Sequence, residues 1–422
     1  MALTLSGTNG VVGAGFSINP VGAVAGIATF SAAKVGGGVT ISESGIEASG
    51  IGITCASING GQIGGRRNLI INGAMLVAQR TTSKANVTTG STYDACDRFK
   101  RNIDLPTGVS DLTASQESDA PTGFTKSNKY TPNQARSGDL SGADRLFVQQ
   151  NIEAQIIANS GWNYTDPNSS LMLSFYIKSN LTGVVSLEMN SQDSPTAKQH
   201  FRSTVTINSA NTWERKSVKI TGDSQLVFDD NFDAGMQVSW HYAAGPSFTS
   251  GTHVTGQWDT TAVAANRSSA SNIDIFSSAS NYVSLTGVQL EVGDQVTPFE
   301  HLTFGEELRQ CQRYFCKTYN YATAPGTDSN SDASAKQGGI FTYRQRDNNY
   351  TSFSFTHPVE MRAVPTLSTY SHDGTVGKFT NSTTNMTSAT NTPLNGTHVS
   401  MAYGTSTAAD DSYCHFVLDA EI

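Results

Sequence analysis

Between residues 171 and 292, apolar and polar side chains trade places one for one, and this limits the fold more than any other feature. "LMLSFYIKS" sets Leu171, Leu173, Phe175 and Ile177 on one side of an extended chain. "VVSLEMN" does the same with Val185, Leu187 and Met189, "HFRSTVTI" with Phe201, Val205 and Ile207, and "MQVSWHY" with Met236, Val238, Trp240 and Tyr242. Successive side chains of a strand face opposite ways, so these runs predict strands with one buried face. In "YVSLTGVQLEV" the apolar phase slips from Val283 and Leu285 to Val288, Leu290 and Val292. The slip falls at Gly287, where a β-bulge is expected. Gly, Pro, Asn and Asp separate the runs, so residues 66–300 read as a jelly-roll β-sandwich of about eight strands or more.

Alternation returns towards the C-terminus in "GGIFTYRQR", "YTSFSFTHPV" and "YCHFVLDAEI", which predict a small second β-sandwich over residues 319–422. "TNSTTNMTSATNTPLNGT" lies among these strands as exposed loop, a natural recognition surface. One segment breaks the β texture. In "FEHLTFGEELRQCQRYF", Thr303 and Glu306 form a capping-box pattern. Phe304, Leu308, Cys311 and Phe315 then make one apolar stripe at helical spacing. Glu306 and Glu307 in the first turn, with Arg313 and Lys317 near the end, match the helix dipole. Residues 301–318 therefore read as a short connector helix that must lay its stripe on a neighbouring body.

Residues 1–65 have a third texture. They hold 16 of the 39 glycines and only Lys34, Glu43 and Glu47 as charged side chains. A single chain of this kind buries little surface while losing much backbone entropy. Its Val, Ile and Phe content is too high for a Gly/Ser linker. An intertwined β stalk, ordered by winding identical chains together, is the expectation, and it implies an obligate oligomer, a homotrimer. The whole chain is then all-β, with one connector helix.

Charged residues make up 15% of the chain, against ~25% in typical soluble domains. The net charge of −8 argues against a nucleic-acid partner bound through a basic surface. No apolar run reaches ~18 residues and no signal-peptide pattern is present, so membrane insertion is not expected. Cys55, Cys96, Cys311, Cys316 and Cys414 are few, odd in number and scattered. They read as reduced, buried thiols of a protein made in a cytoplasm, without a disulfide framework.

Several segments recur together in one known family: "RNLIINGAMLVAQR" (66–80), "DRFKR" (97–101), "VQQNIEA" (148–154), "LMLSFYIKS" (171–179), "WERKSVKITG" (213–222), "LTGVQLEVGDQVTPFEHLTFGEELRQCQRYF" (285–315) and the final "DAEI". In these the chain resembles tail-fibre and related virion structural proteins of bacteriophages, of the marine and cyanobacterial type. The run from Val288 to Phe315 is the most specific, and "HPVEMRAVPT" (357–366) resembles the small terminal sandwich of such proteins. The resemblance implies a carbohydrate-binding-module-like jelly roll in a homotrimeric virion appendage. Such a protein attaches to other virion tail proteins through residues 1–65 and adheres to host-surface polysaccharide. The chain is shorter than tail fibres of large phages, which leaves a tail or capsid attachment point open. A fibre or decoration protein with no receptor role is the alternative reading.

Candidate site residues follow from chemistry. Sugar recognition needs an aromatic platform beside polar groups, and Trp162 with Tyr164 in "SGWNYTDPNSS" occupies a turn-rich loop that would expose them. Trp240 alternates with core residues. Trp213 and Trp258 stand where the resembling proteins carry framework tryptophans. "VFDDNFDAG" offers Asp229, Asp230 and Asp233, candidate ligands for a structural Ca2+, as are Asp94 and Asp97, though neither group has EF-hand spacing. The same three acids are the only offer of a glycosidase carboxylate pair, and nucleophile-elbow, zincin and Walker patterns are missing. The sequence reads as a non-enzymatic adhesin. The eight histidines show no chelating spacing and read as structural.

Overall fold

The computed structural model of the chain describes residues 32–35, 39–42, 45–48, 66–193, 200–259, 264–328, 340–341, 351–381, 384–386, 396–404 and 412–422. Contacts group the chain into two compact units, Met1–Ala56 and Ser57–Ile422. In the first unit, Ala32–Val35, Val39–Ser42 and Gly45–Ala48 form an antiparallel three-stranded meander paired within one chain. The rest of the stalk expectation for residues 1–65 lies outside the described residues.

The larger unit is built on a β-sandwich. One sheet runs in the order Glu214–Thr221, Ser170–Ser179, Val283–Val292, Ser127–Pro132, Leu112–Glu117, Ser83–Val87. The facing sheet runs Trp258–Asp259, His200–Ile207, Gly183–Ser191, Ala234–Ala244, Arg145–Glu153, Lys100–Asp104, Gly90–Tyr93. Each ladder in both sheets is antiparallel. The residues placed inward by alternation, among them Leu171, Phe175, Leu187, Met189, Val238 and Trp240, are fully buried in one core. The fold is the all-β jelly-roll sandwich that the alternation predicts.

The bulge sits where the phase slips. Ser174 pairs with Gln289 and Tyr176 with Thr286, so Gly287 and Val288 together face Phe175. Gly287 has φ +60°, and a Cβ there would stand 2.8 Å from Phe124 and 2.9 Å from Tyr176. Glycine removes both the strain and the clash. The bulge also turns Val288 toward "RNLIINGA": its N–H donates to the Gly73 carbonyl, and its own carbonyl accepts from Asn68 Nδ2 at 3.0 Å.

The described residues hold three short helices where the sequence predicts one: Ala154–Ala158 and Pro246–Thr249, too short to show an apolar period, and the expected Phe304–Gln312, which carries the capping box between Thr303 and Glu306. Its buried face differs from the predicted stripe. Phe304 is exposed, edge-on to Tyr321 at 5.0 Å, and Phe315 belongs to the strand Phe315–Lys317. Cys311 and Tyr314, with half-buried Leu308, pack instead on Ile71 and Val77. Glu307 is buried as well and accepts from the Asn72 N–H. Burial lifts its carboxyl above the usual range, against that hydrogen bond.

In the C-terminal part, Ser412–Asp419 is a hub that pairs with Phe315–Lys317, Ile340–Phe341, Thr366–Tyr370 and Phe379–Asn381. Thr351–Thr356 and Val399–Gly404 form a separate ladder, and Phe353, Met361, Leu367, Phe379, Phe416 and Leu418 fill the space beneath. This part is welded to the jelly roll by its last residues. Arg98, 1% exposed, lays its guanidinium on the Tyr314 ring at 3.4 Å and donates to Glu421 and to the Asn151 carbonyl. Arg80 is shared among Asp97, Asp419 and Glu421, over the Phe315 ring. Tyr93 and Asn151 both donate to the Ile422 carbonyl oxygen.

Among the described residues no helix is long and apolar enough to cross a membrane. Cys96, Cys311, Cys316 and Cys414 are buried free thiols, as expected; Cys55 lies outside the described residues.

Candidate functional site

The structure moves the predicted sugar platform into the core. Trp162 is 3% exposed, with its ring 6.2 Å from Tyr164 and 6.1 Å from Phe228. The loop that carries it folds back under its neighbour, since Asp223 donates its amide to the Tyr164 carbonyl and Gly222 to that of Ser169. Trp162 thus offers no face to a sugar, and the expectation of an exposed pair is corrected; Tyr164 is half-buried against the same cluster. Trp240 and Trp258 are core residues, the latter donating its indole N–H to the Thr221 carbonyl at 2.6 Å. Trp213, expected in the framework interior, is half-exposed and donates to Asp119 at 3.2 Å.

Asp229, Asp230 and Asp233 are exposed. Asp230 accepts from Asn159 Nδ2 at 2.7 Å, and Asp233 lies 3.7 Å from the Arg362 guanidinium. Asp193, unremarked in the sequence, joins them by accepting the Asp229 amide N–H at 3.1 Å. Partial burial and the charges of Asp229 and Asp233 raise its carboxyl. Among the described residues no group of three acids, histidines or cysteines stands close enough to hold a metal ion, so the Ca2+ expectation for Asp229, Asp230 and Asp233 gains no ligand set. Asp94 and Asp97 are buried in ion pairs with Arg101 and Arg80.

A cleft opens beside these acids. It has a volume of about 420 Å3 and lies where the jelly roll, the end of the helix and the C-terminal strands meet. Phe232 and Val364 stand on it, 50% and 60% exposed, two of the few large apolar side chains left to solvent among the described residues. Gln155 and Arg313 line one side, and Glu360, Met361, Arg362, Ala363 and Thr397 the other. Backbone joins the two sides, since the Arg362 N–H donates to the Arg313 carbonyl, and within the second side the Met361 N–H donates to the Thr397 carbonyl. An apolar surface beside a few fixed polar groups, at a junction between bodies, is the usual make-up of a ligand site.

One buried carboxylate organises the polar wall. Glu153 is 0% exposed and accepts from Arg313 Nε and Nη2 at 2.8 Å each, from the Tyr314 hydroxyl and from Gln155 Nε2. Burial opposes its charge, but these bonds outweigh it and hold its carboxyl below the usual range. Arg362 spends its guanidinium on the carbonyls of Ala420, Phe232 and Glu421. Thr397 donates its hydroxyl to Glu360 at 3.0 Å.

A second polar concentration lies on the outer face of the seven-stranded sheet. Glu188, fully buried, is held by Arg267 through two nitrogens and by His200 Nδ1 at 2.7 Å. Burial works against its charge, yet these partners bring its pKa down to about 2. His241 nearby is stacked on Phe147 at 3.7 Å, and burial lowers it to about 3, keeping it neutral. Among the described residues both ring nitrogens of His241 lack a hydrogen-bond partner, and the Glu188 group reads as a clamp for the loop carrying Arg267.

Sequence reasoning picked out the segments that meet at the cleft but missed the cleft. Phe232 lies inside "VFDDNFDAG", Gln155 follows "VQQNIEA", Arg313 lies near the end of "GEELRQCQRYF", and residues 360–364 belong to "HPVEMRAVPT". The available signal was an aromatic residue in a turn of Asp and Asn, where no strand alternation exists to bury it.

No family model and no curated protein matches the sequence. Solved structures with partial likeness include an enzymatically active domain of tailspike protein 4 from bacteriophage CBA120, at 10% identity and a TM-score of 0.27. That alignment covers 53% of this chain and 21% of the tailspike domain. A CBM4 structure aligns at 13% identity over 52% of this chain and 97% of its own, with a TM-score of 0.25. The family 11 carbohydrate-binding module of a Clostridium thermocellum cellulosomal cellulase aligns at 10% identity over 51% of this chain and 99% of its own, with a TM-score of 0.24. Identities and TM-scores this low carry no functional assignment.

Proposed function

We propose that this protein is a non-enzymatic adhesin of the phage tail-fibre kind, which attaches to the virion through residues 1–65 and holds host-surface polysaccharide in the cleft at Phe232. The observation that carries the reading is the cleft's make-up. A half-exposed phenylalanine and an exposed valine stand beside Arg313, Gln155, Glu360 and Thr397 in a space of about 420 Å3. A sugar ring presents a C–H face to an aromatic and hydroxyls to polar groups, so this pairing suits it. The cleft's walls come largely from segments that carry the resemblance to virion fibre proteins, which supports placing the site there. Adhesion asks for rigid presentation, and the buried Glu153 and the welded terminus fix the cleft walls in one body. As a homotrimer, three modest sites would act together and raise avidity without strong single-site affinity.

The test is binding of the labelled full-length chain to intact candidate host cells, beside Phe232→Ala. Saturable binding that periodate treatment of the cells abolishes, and that Phe232→Ala weakens at least about tenfold, is the expected result. Binding unchanged in Phe232→Ala would remove the cleft from the reading. Absence of binding to any host would favour a virion component without a receptor role.

A further inference from the structure

We infer that the cleft selects neutral saccharides and rejects carboxylated or sulfated ones; this rests on the glycan-binding reading above. Its two cations already have protein partners. Arg313 is held by the buried Glu153 through two nitrogens, which makes the pair neutral toward a ligand. Arg362 is spread over three backbone carbonyls with Asp233 at 3.7 Å. What faces the ligand is mostly acceptor. Among the described residues, exposed Glu360 has one oxygen engaged, by Thr397, while Gln155 has its amide nitrogen tied to Glu153 and its oxygen without a partner. Acceptors of this kind take hydroxyl protons, of which a neutral sugar has many. A carboxylate or sulfate has none to give and would meet Glu360, Asp233 and the field of a chain of net charge −8. The polar lining and the charge thus point the same way.

The experiment measures binding of the full-length chain to hexasaccharides of three classes: neutral glucan and galactan, a hexauronate, and a sulfated galactan. The neutral class should bind at least about tenfold more tightly at physiological salt. In the exposed double variant Glu360→Gln with Asp233→Asn that ratio should narrow several-fold, and 1 M salt should narrow it in the parent chain. Tighter binding of the uronate or sulfated class, lost in Phe232→Ala, would overturn this inference while leaving the glycan site standing. Binding of none of the three classes, or binding indifferent to Phe232→Ala, would overturn the cleft reading and this inference together.

Discussion

Glu421 is the residue whose removal tests how the two β bodies are joined. Its carboxylate pairs with Arg98, which is 1% exposed, and lies 3.3 Å from Arg80. Burial acts against the charge on Arg98, and Glu421 is the first of the groups that hold it charged all the same. Among the described residues, Glu421→Ala leaves Arg98 with the Tyr314 ring and the Asn151 carbonyl. Arg80 loses less, because Asp97 and Asp419 remain. Stranding one member of a buried pair costs about 3–5 kcal/mol. The unit Ser57–Ile422 has 422 − 56 = 366 residues, so at ~2.1 cal/mol/K per residue its unfolding entropy is about 0.8 kcal/mol per degree. If the unit melts as one, the midpoint should fall by about 4–6 °C. Calorimetry of the full chain reads this directly. A cycle with Arg98→Met isolates the pair: the double variant should be less destabilised than the sum of the singles by at least about 2 kcal/mol. Additive effects, or a shift under about 1 °C in Glu421→Ala, would refute the claim that this ion pair joins the two bodies.

Acid stability depends on Glu188. Its folded-state pKa of about 2 lies below the ~4.3 of an unfolded glutamate, so it contributes roughly 3 kcal/mol that is present above about pH 4–5 and lost as the pH falls toward 2. Urea midpoints between pH 7 and pH 3 should fall less steeply in Glu188→Gln than in the parent, and parallel curves would refute the assignment. Trp162→Ala should cost about 3–5 kcal/mol by opening the core beside Phe228, while affinity per folded molecule stays unchanged. Lost affinity in a fully folded Trp162→Ala sample would restore it as a sugar platform.

Much of the sandwich was written locally. Leu171, Phe175, Leu187 and Val238 declare their buried face through a neighbour two residues away, and the pleat turns that spacing into a side. Gly287 marks its bulge because the phase of the apolar residues changes there. The Thr303–Glu306 capping box is equally local, and the structure contains it. Local signals failed where burial depended on a distant partner. Phe304 has the spacing of a core residue, yet Leu308, Cys311 and Tyr314 are the side chains that pack on Ile71 and Val77, and Phe304 stays exposed beside Tyr321. Trp162 sits in a loop of polar residues, and its burial depends on distant neighbours such as Phe228, brought back beside it by the return of 222–228. Glu307 looks like a dipole partner until Asn72, 235 residues away in the chain, presents its N–H.

By itself the sequence determined an all-β chain with one capped helix and a jelly roll of known strand faces, because alternation, turn residues and caps act within a few positions. The cleft belongs to the tertiary structure alone. Glu153 and Arg313 are separated by 160 residues, and Phe232 and Arg362 by 130. Whether an aromatic in an acidic turn is a platform or a stray surface residue depends on what stands opposite. Packing of the C-terminal strands against the jelly roll decides that, and it follows from the summed burial of both bodies.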